Sequence, residues 1–293
     1  MKLNSVGIEV AMFSYPMQVD GTLTRILQAG VEGEPVVLVH GTATRADRWI
    51  RNLEPMAEAG FRIYAIDLPG HGFAEKSGEF DHSVSGYARF VSSFIDKLDA
   101  AKVSIVGTSL GGHVAAAYAI LHPDKVKRLV LVGSMGLVPI GEEMRLCIQA
   151  GANNQTRDFI AQKLLRVMAN PALVTESFIE EEFRFNNSPG AAAALRKLGE
   201  YIATDLDKDL VGEKLNNLPP EVPILLVWGD QDKTVPLSAG RAAHQSISRS
   251  ILVVLKGVAH SSYFEDPASF NQVLVDFMRN RLGEHNSERV EYA

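Results

Sequence analysis

Short runs of apolar residues alternate with longer amphipathic segments along most of the chain. The apolar runs are nearly continuous, which is typical of strands buried on both faces of a parallel sheet. They predict strands at 36–39, 62–66, 103–106, 129–132, 224–227 and 251–255. Segments of helical pattern between them predict helices near 47–59, 84–99, 110–121, 236–246 and 267–282. This alternation indicates an α/β fold with a mostly parallel central sheet.

The N-terminal part of the chain differs from this alternation. Two runs near 6–13 and 22–29 predict an antiparallel hairpin that turns at Asp20-Gly21, because an Asp-Gly pair favours a tight two-residue turn. With these two strands included, we predict a sheet of about eight strands.

A second departure lies in the middle of the chain. Between 137 and 218 the pattern is helical throughout, and the segment is bounded by Gly136 and Pro219-Pro220. We therefore predict a helical cap insertion at 137–218 in a discontinuous core made of 1–136 and 219–283. The polar residues 284–293 are expected to form a mobile tail.

Composition excludes several classes of protein. The 293 residues carry a formal net charge of −6, with 46% hydrophobic and 22% charged residues. Nucleic acid and anionic membranes attract clustered lysine and arginine, so neither is expected as a partner of this mildly acidic chain. A small-molecule substrate is the expected partner, and a homo-oligomer is left open.

Cysteine usage and the N-terminus bear on the compartment. Cys147 is the single cysteine, so we expect no intrachain disulfide and no thiolate metal site, and we interpret it as a small hydrophobe. The first residues lack a basic segment followed by an apolar one, so no secretory signal is expected. The longest apolar stretch, 129–140, is shorter than the ~20 residues that span a bilayer. We therefore expect a cytoplasmic protein.

A candidate nucleophile follows the predicted strand 103–106. The segment Gly107-Thr108-Ser109-Leu110-Gly111 matches G-x-S-x-G and precedes a helical run that begins near Leu110. A tight strand-to-helix turn needs glycines beside the nucleophile and exposes the serine hydroxyl above the strand end. Since the chain has neither a phosphate-binding G-x-x-x-x-G-K-[ST] motif nor a dinucleotide-binding G-x-G-x-x-G motif after its first sheet strand, covalent catalysis by Ser109 is the prediction.

A serine nucleophile needs a histidine base, and the chain offers eight histidines. We choose His260, because its loop follows the last predicted parallel strand and precedes the C-terminal helix. His113 lies one turn into the helix after Ser109 and points along it. His122 is expected at the surface and His71 in a structural turn.

The acid that orients the base is expected after the strand 224–227. Two carboxylates compete there, Asp230 and Asp232, and Asp232 fits the spacing G-x-x-D-x-x-x-P. We assign Asp232 to catalysis and Asp230 to capping of the turn. The order Ser109, Asp232, His260 is the one expected for such a sheet.

An oxyanion hole completes the predicted site. The small-residue loop that starts at His40-Gly41 follows the strand 36–39, and we assign the hole to the backbone N–H groups of Thr42 and Leu110. His40 is expected to support the loop. No metal and no organic cofactor are required.

With these residues located, the chain resembles the α/β-hydrolase superfamily over almost its whole length. The resemblance rests on motifs around His40, Asp67, Ser109, Asp232 and His260, which all fall in register. It implies an eight-stranded sheet with a helical cap after the sixth strand, and it implies that the cap supplies most of the substrate pocket. The serine at the nucleophile position argues against haloalkane dehalogenases and epoxide hydrolases, which use a carboxylate.

Within this superfamily the cap stretch from Asn170 to Arg184 resembles that of the meta-cleavage-product hydrolases, which cleave a C–C bond in vinylogous diketones. That branch usually has Asn before the nucleophile, Trp after the histidine and a glycine-rich loop after His-Gly. This chain has Thr108, Ser261 and Thr42-Ala43-Thr44 instead. The cap arginine that binds the substrate carboxylate there has no secure counterpart, because Glu182 lies near its place and Arg184 is only a candidate.

The sequence therefore predicts a serine hydrolase of small carboxylic esters or related acyl compounds. C–C hydrolysis of meta-cleavage products is the alternative. A non-hydrolytic member of the fold, such as a lyase or a ligand receptor, is the third interpretation.

Overall fold

A computed structural model describes residues 11–285 and 287–293 of the chain. Its centre is a nine-stranded sheet with the order β1-β2-β4-β3-β5-β6-β7-β8-β9. The strands are β1 Met12–Val19, β2 Thr22–Ala29, β3 Glu34–Val39, β4 Phe61–Ile66, β5 Val103–Thr108, β6 Val126–Val132, β7 Ile224–Gly229, β8 Ser250–Leu255 and β9 Val290–Tyr292. The pairs from β4 through β8 are parallel, and the outer pairs are antiparallel. The predicted α/β class with a mostly parallel sheet is confirmed.

The interior strands are apolar because helices cover both of their faces. All residues of β5 and β7 are buried. The helices are α1 Ile50–Glu58, α2 Val84–Ile95, α3 Leu110–Leu121, α4 Glu142–Asn153, α5 Arg157–Val167, α6 Glu176–Asn186, α7 Ala191–Thr204, α8 Leu237–Ser246, α9 Ser262–Glu265 and α10 Pro267–Met278. Helices α1, α9 and α10 pack into one apolar core, whereas α2, α3 and α8 pack into the other.

The N-terminal hairpin turns where the sequence predicts, but its first strand lies later in the chain. Asp20 and Gly21 have positive φ angles of 47° and 76°, and Val19 pairs with Thr22. A two-residue turn requires the strand to continue to Val19, so β1 occupies Met12–Val19 rather than a run near 6–13. Residues 6–10 of the predicted strand lie outside the described residues.

The segment between β6 and β7 contains helices α4 to α7 and, within the described residues, no strand. Ile148, Leu198 and Ile202 pack into the same apolar core as α2 and α3. A smaller cluster, which includes Ile160 and Leu164, joins α5 to α6. We call this segment the cap; its bounds at 137 and 218 stay a prediction.

The C-terminal residues depart from the expected mobile tail. Val290–Tyr292 form β9, which pairs antiparallel with β8 through Val253, Val254 and Leu255. Val290 and Tyr292 are partly buried against the core, so two alternate residues in an otherwise polar segment suffice to add a strand. The sheet therefore has nine strands rather than about eight, and β9 covers the edge of β8.

No helix in the described part of the chain has the length and apolar character needed to cross a membrane.

Candidate active site

Ser109 lies in a strained turn between β5 and α3. Its backbone angles are φ 55° and ψ −121°, a region that non-glycine residues rarely adopt. The turn is this tight because glycines allow close approach of the backbone. A Cβ at Gly107 would lie 2.0 Å from the Gly111 carbonyl oxygen, and one at Gly111 would lie 2.4 Å from the carbonyl oxygens of Val39 and His40. The turn places Ser109 at the carboxyl edge of the sheet, as the sequence predicts.

His260 and Asp232 lie side by side at the same edge of the sheet. His260 Nδ1 is 2.7 Å from Asp232 Oδ2, and both side chains are buried. The other carboxylate oxygen, Oδ1, accepts the backbone N–H groups of Thr234 and Val235 at 2.8 and 2.9 Å. These bonds fix the carboxylate, which in turn orients the imidazole. Gly133 leaves room for the pair, since a Cβ there would lie 3.1 Å from His260 Nδ1.

The competing carboxylate Asp230 has another contact. Its Oδ1 accepts the backbone N–H of Gly257 at 2.8 Å, and the residue is exposed. Asp230 therefore ties the loop after β7 to the turn after β8, in keeping with a turn residue.

The loop after β3 approaches Ser109 closely. A Cβ at Gly41 would lie 3.1 Å from Ser109 Cβ, so the loop passes directly over the serine. Thr42 lines the cavity next to Ser109, and Leu110 begins α3, where backbone N–H groups have no partner within the helix. Ala43 has a positive φ of 51°, and its carbonyl accepts hydrogen bonds from Lys163 Nζ at 3.1 Å and Asn186 Nδ2 at 3.4 Å. The cap therefore contacts this loop directly.

His40 and His71 lie beneath the loop rather than in the cavity. The backbone N–H of Leu68 donates to His40 Nε2 at 3.0 Å, and His40 Nδ1 lies 2.9 Å from the Gly41 carbonyl oxygen. Burial lowers the pKa of His40, and it lowers the pKa of His71 well below its usual value. Both rings are neutral near pH 7, and His40 joins two loops at the sheet edge, which is the supporting role expected for it.

His113 connects α3 to the cap. Its Nε2 lies 2.9 Å from the Asp209 carbonyl oxygen and donates to it, and its ring fills the space beside Gly136. Burial lowers the pKa of His113 to about 4. His122 lies at the end of α3, against Ser92 Oγ at 3.0 Å. Neither ring lines the cavity that contains Ser109.

One cavity brings three of the five predicted site residues together, whereas Asp232 and Leu110 are not part of its wall. It lies between the sheet edge and the cap, and Ser109, His260 and Thr42 are all part of its wall. The remaining wall consists of Gly41, Ala43, Thr44, Arg48, Thr108, Ile148, Gly151, Lys163, Arg166, Val167, Thr234, Ser261 and Tyr263. Burial raises the pKa of Tyr263 to about 12, so its phenol is protonated beside Thr108 and Ser261.

The candidate cap arginine, Arg184, does not line this cavity. The Arg184 side chain is 77% exposed and its Nε donates to Glu180 on the same helix. Glu182 is fully buried, and its two oxygens accept hydrogen bonds from Arg45 and Lys163. Residues 182 and 184 are two apart on a helix and so point in different directions, which is why only one of them faces inward.

The sequence reasoning missed several polar residues of the site. Lys163 occurs three residues after Ile160 and next to Leu164, on the buried face of α5, and this spacing was a usable signal. Glu265 is a second case. Its carboxylate accepts the backbone N–H of Ala259 at 2.7 Å and that of Ala169 at 2.6 Å, which ties the His260 loop to the cap. Burial raises the pKa of Glu265.

The parallel sheet, the serine turn and the histidine–carboxylate pair define the α/β-type hydrolases as the class of protein. A family model described as alpha/beta hydrolase fold matches residues 34–267, and the chain belongs to that family.

The chain is also similar to individual proteins, of which one is named as a hydrolase and one as an acetyltransferase component. The chain is 30% identical over 257 residues to 2-hydroxy-6-oxononadienedioate/2-hydroxy-6-oxononatrienedioate hydrolase 1 of Pseudomonas putida, covering 84% of this chain and 88% of the relative. It is 33% identical over 267 residues to the dihydrolipoyllysine-residue acetyltransferase component of the acetoin cleaving system of Pseudomonas putida, covering 89% of this chain and 68% of that one.

Solved structures show the same fold. The structure of 2-hydroxy-6-oxo-6-phenylhexa-2,4-dienoate hydrolase from Rhodococcus sp. strain RHA1 superposes with a TM-score of 0.83 at 21% identity, covering 92% of this chain and 99% of that one. The protein is a hydrolase of the alpha/beta hydrolase fold.

Proposed function

We propose that the protein is a serine hydrolase that forms an acyl-enzyme on Ser109, with His260 as the base and Asp232 as its orienting acid. Its substrates are small carboxylic esters or related acyl compounds. The observation that carries the proposal is the buried His260–Asp232 pair, 2.7 Å apart, beside the cavity that contains the strained Ser109.

The chemistry follows from the tautomer of His260. Because Nδ1 donates to Asp232, the neutral ring has its lone pair on Nε2, which takes the proton from Ser109 Oγ as that oxygen attacks the carbonyl carbon. The oxygen of the tetrahedral intermediate becomes negative, and we assign its stabilisation to the N–H groups of Thr42 and Leu110. The bond to the leaving group then breaks, and the leaving group receives the proton from Nε2.

A water molecule completes the cycle. It loses a proton to His260 Nε2 and attacks the acyl carbon, and the second tetrahedral intermediate releases the carboxylic acid as Ser109 Oγ regains its proton. The negative charge of Asp232 stabilises the imidazolium that forms in both halves of the reaction.

The test is hydrolysis of p-nitrophenyl acetate and butyrate by the wild type and Ser109→Ala, with Ser92→Ala on α2 as the matched control. We expect Ser109→Ala to lose hydrolysis and Ser92→Ala to keep it. A fluorophosphonate should add to Ser109, as intact mass and peptide mapping would show. Equal hydrolysis by the wild type and Ser109→Ala would overturn the proposal.

C–C hydrolysis is a second candidate, which the 30% identical relative named as a 2-hydroxy-6-oxononadienedioate hydrolase supports. The same serine and histidine would act on the ketone of a vinylogous diketone. Thr108 and Ser261, where the similar branch has Asn and Trp, line the cavity. Bleaching of a dienone ring-fission product with a higher kcat/KM than ester cleavage would favour this reaction over ester hydrolysis, and the reverse order would exclude it as the main activity.

A further inference from the structure

The wall of the Ser109 cavity carries positive charge. Arg48, Lys163 and Arg166 line it, and no aspartate or glutamate of the described residues does. Two buried carboxylates contact residues of this wall: Asp232 is bonded to His260, and Glu182 has Arg45, Arg48 and Lys163 within 4.0 Å. Arg45 has further acidic partners of its own in Asp47 and Glu181. The cavity wall therefore holds more positive charge than its surroundings neutralise.

Arg48 is the cation of this wall with the most unpartnered nitrogens in the described residues. Its side chain is 3% exposed, yet Nε and Nη1 have no hydrogen-bond partner within residues 11–285 and 287–293. The Nη2 atom is 3.7 Å from Glu182 Oε2, which is beyond hydrogen-bond distance. The guanidinium instead stacks over the ring of Phe178, with 4.4 Å between Cζ and the ring centroid. Buried polar groups normally have partners, so an unpartnered guanidinium at a cavity needs an explanation.

The other two cations have more of their donors engaged. Lys163 Nζ donates to the Ala43 carbonyl at 3.1 Å and to Glu182 at 3.4 Å, and burial lowers the pKa of this lysine. Arg166 Nη1 donates to Cys147 Sγ at 2.9 Å, which leaves one buried nitrogen, Nε, without a partner in the described residues, against two on Arg48. Arg48 presents N–H groups in a planar fork that matches a carboxylate. Among the three, Arg48 is the anchor best suited to an anion.

The need to balance the charge of Glu182 does not explain why Arg48 is buried here. Arg45 and Lys163 already donate hydrogen bonds to the two oxygens of that carboxylate. A third cation placed only for charge balance would be expected to form a hydrogen bond there as well, because a buried guanidinium is costly without one.

We propose that Arg48 binds a carboxylate on the acyl part of the substrate and makes the enzyme selective for anionic over neutral acyl groups. This inference rests on the proposed serine hydrolysis and names its substrate class. The subsite comes from the core of the protein, at the end of the loop that contains Thr42, and not from the exposed Arg184 of the cap.

The kinetic test compares two esters of equal chain length, mono-p-nitrophenyl glutarate and p-nitrophenyl pentanoate. We expect the wild type to prefer the glutarate, and Arg48→Met to lower the ratio of the two kcat/KM values about 10- to 100-fold, the range of a hydrogen bond to a charged group. Arg48→Lys should retain part of the preference. Arg51→Met, which removes a neighbouring arginine outside the cavity wall, should leave the ratio as it is.

A binding test needs no turnover. Glutarate should raise the melting temperature of Ser109→Ala and should not raise that of Ser109→Ala combined with Arg48→Met; Arg48→Gln, which also removes the charge, serves if the methionine variant does not fold. An unchanged ratio in Arg48→Met, or equal glutarate binding with and without Arg48, would overturn the subsite. Absence of hydrolysis of both esters, with glutarate binding intact, would instead count against the proposed function alone.

Discussion

The strained backbone of Ser109 predicts that glycine at this position stabilises the fold more than alanine does. At φ 55° and ψ −121° a residue with a Cβ carries strain of about 1–3 kcal/mol. Glycine relieves it but loses about 0.5–1 kcal/mol through the greater freedom of the unfolded chain. The serine side chain makes no capping bond to α3, so both substitutions remove the same hydroxyl at little cost. We expect the free energy of unfolding of Ser109→Gly to exceed that of Ser109→Ala by about 1 kcal/mol.

The size of the chain sets the thermal shift. An unfolding entropy of about 2.1 cal/mol/K per residue over 293 residues makes 1 kcal/mol correspond to about 1.6 °C in Tm. Scanning calorimetry and urea unfolding would measure the difference. Ser92 in α2 is the control, because its φ is not positive. There we expect the opposite order, with Ser92→Gly about 1 kcal/mol less stable than Ser92→Ala. If Ser109→Gly is no more stable than Ser109→Ala, the turn does not store the strain inferred from it.

Three further predictions concern the residues around the cavity. Asp232→Asn should lower kcat for a p-nitrophenyl ester about 10⁴-fold by favouring the wrong tautomer of His260, and a loss below tenfold would contradict its role. Glu265→Gln replaces one of the two oxygens that accept backbone N–H groups by an N–H donor. It should cost about 1–3 kcal/mol in urea unfolding and lower kcat, so unchanged values would contradict the link to the His260 loop. The depressed pKa of His113 means that its contribution to stability is complete above pH 6.5 and is lost as pH falls toward 4, in total about 3 kcal/mol. Urea unfolding between pH 7.5 and 4 should show that loss in the wild type and a smaller one in His113→Gln; equal losses would refute it.

Local pattern was sufficient to predict most of the fold. The buried strands are short, nearly continuous apolar runs and the helices repeat with a period of 3.6 residues, and both patterns are visible without knowing what packs against them. The turn around Ser109 was predictable for the same reason, because Gly107 reports on its close contact with Gly111, four residues later. Strand β9 was not predictable from local pattern, since it depends on pairing with β8, more than thirty residues earlier in the chain.

The polar part of the cavity could not be predicted, because it forms between residues distant in sequence. Arg48 and Glu182 meet only when the cap covers the core, and no local spacing relates them. The resemblance to a family drew attention to Arg184, yet helical geometry places its side chain in solvent. Which charges face a cavity is therefore decided by the contact between cap and core.

The carbonyl of Ala43 has a consequence for the timing of turnover. Its two hydrogen-bond donors, Lys163 and Asn186, both belong to the cap. A movement that separated these helices from the core would therefore also remove both hydrogen bonds from the loop that contains Thr42. Under the proposed mechanism, the donor assigned to the oxyanion would be held in place only while the cap is closed, so acyl transfer would be coupled to closure of the cap.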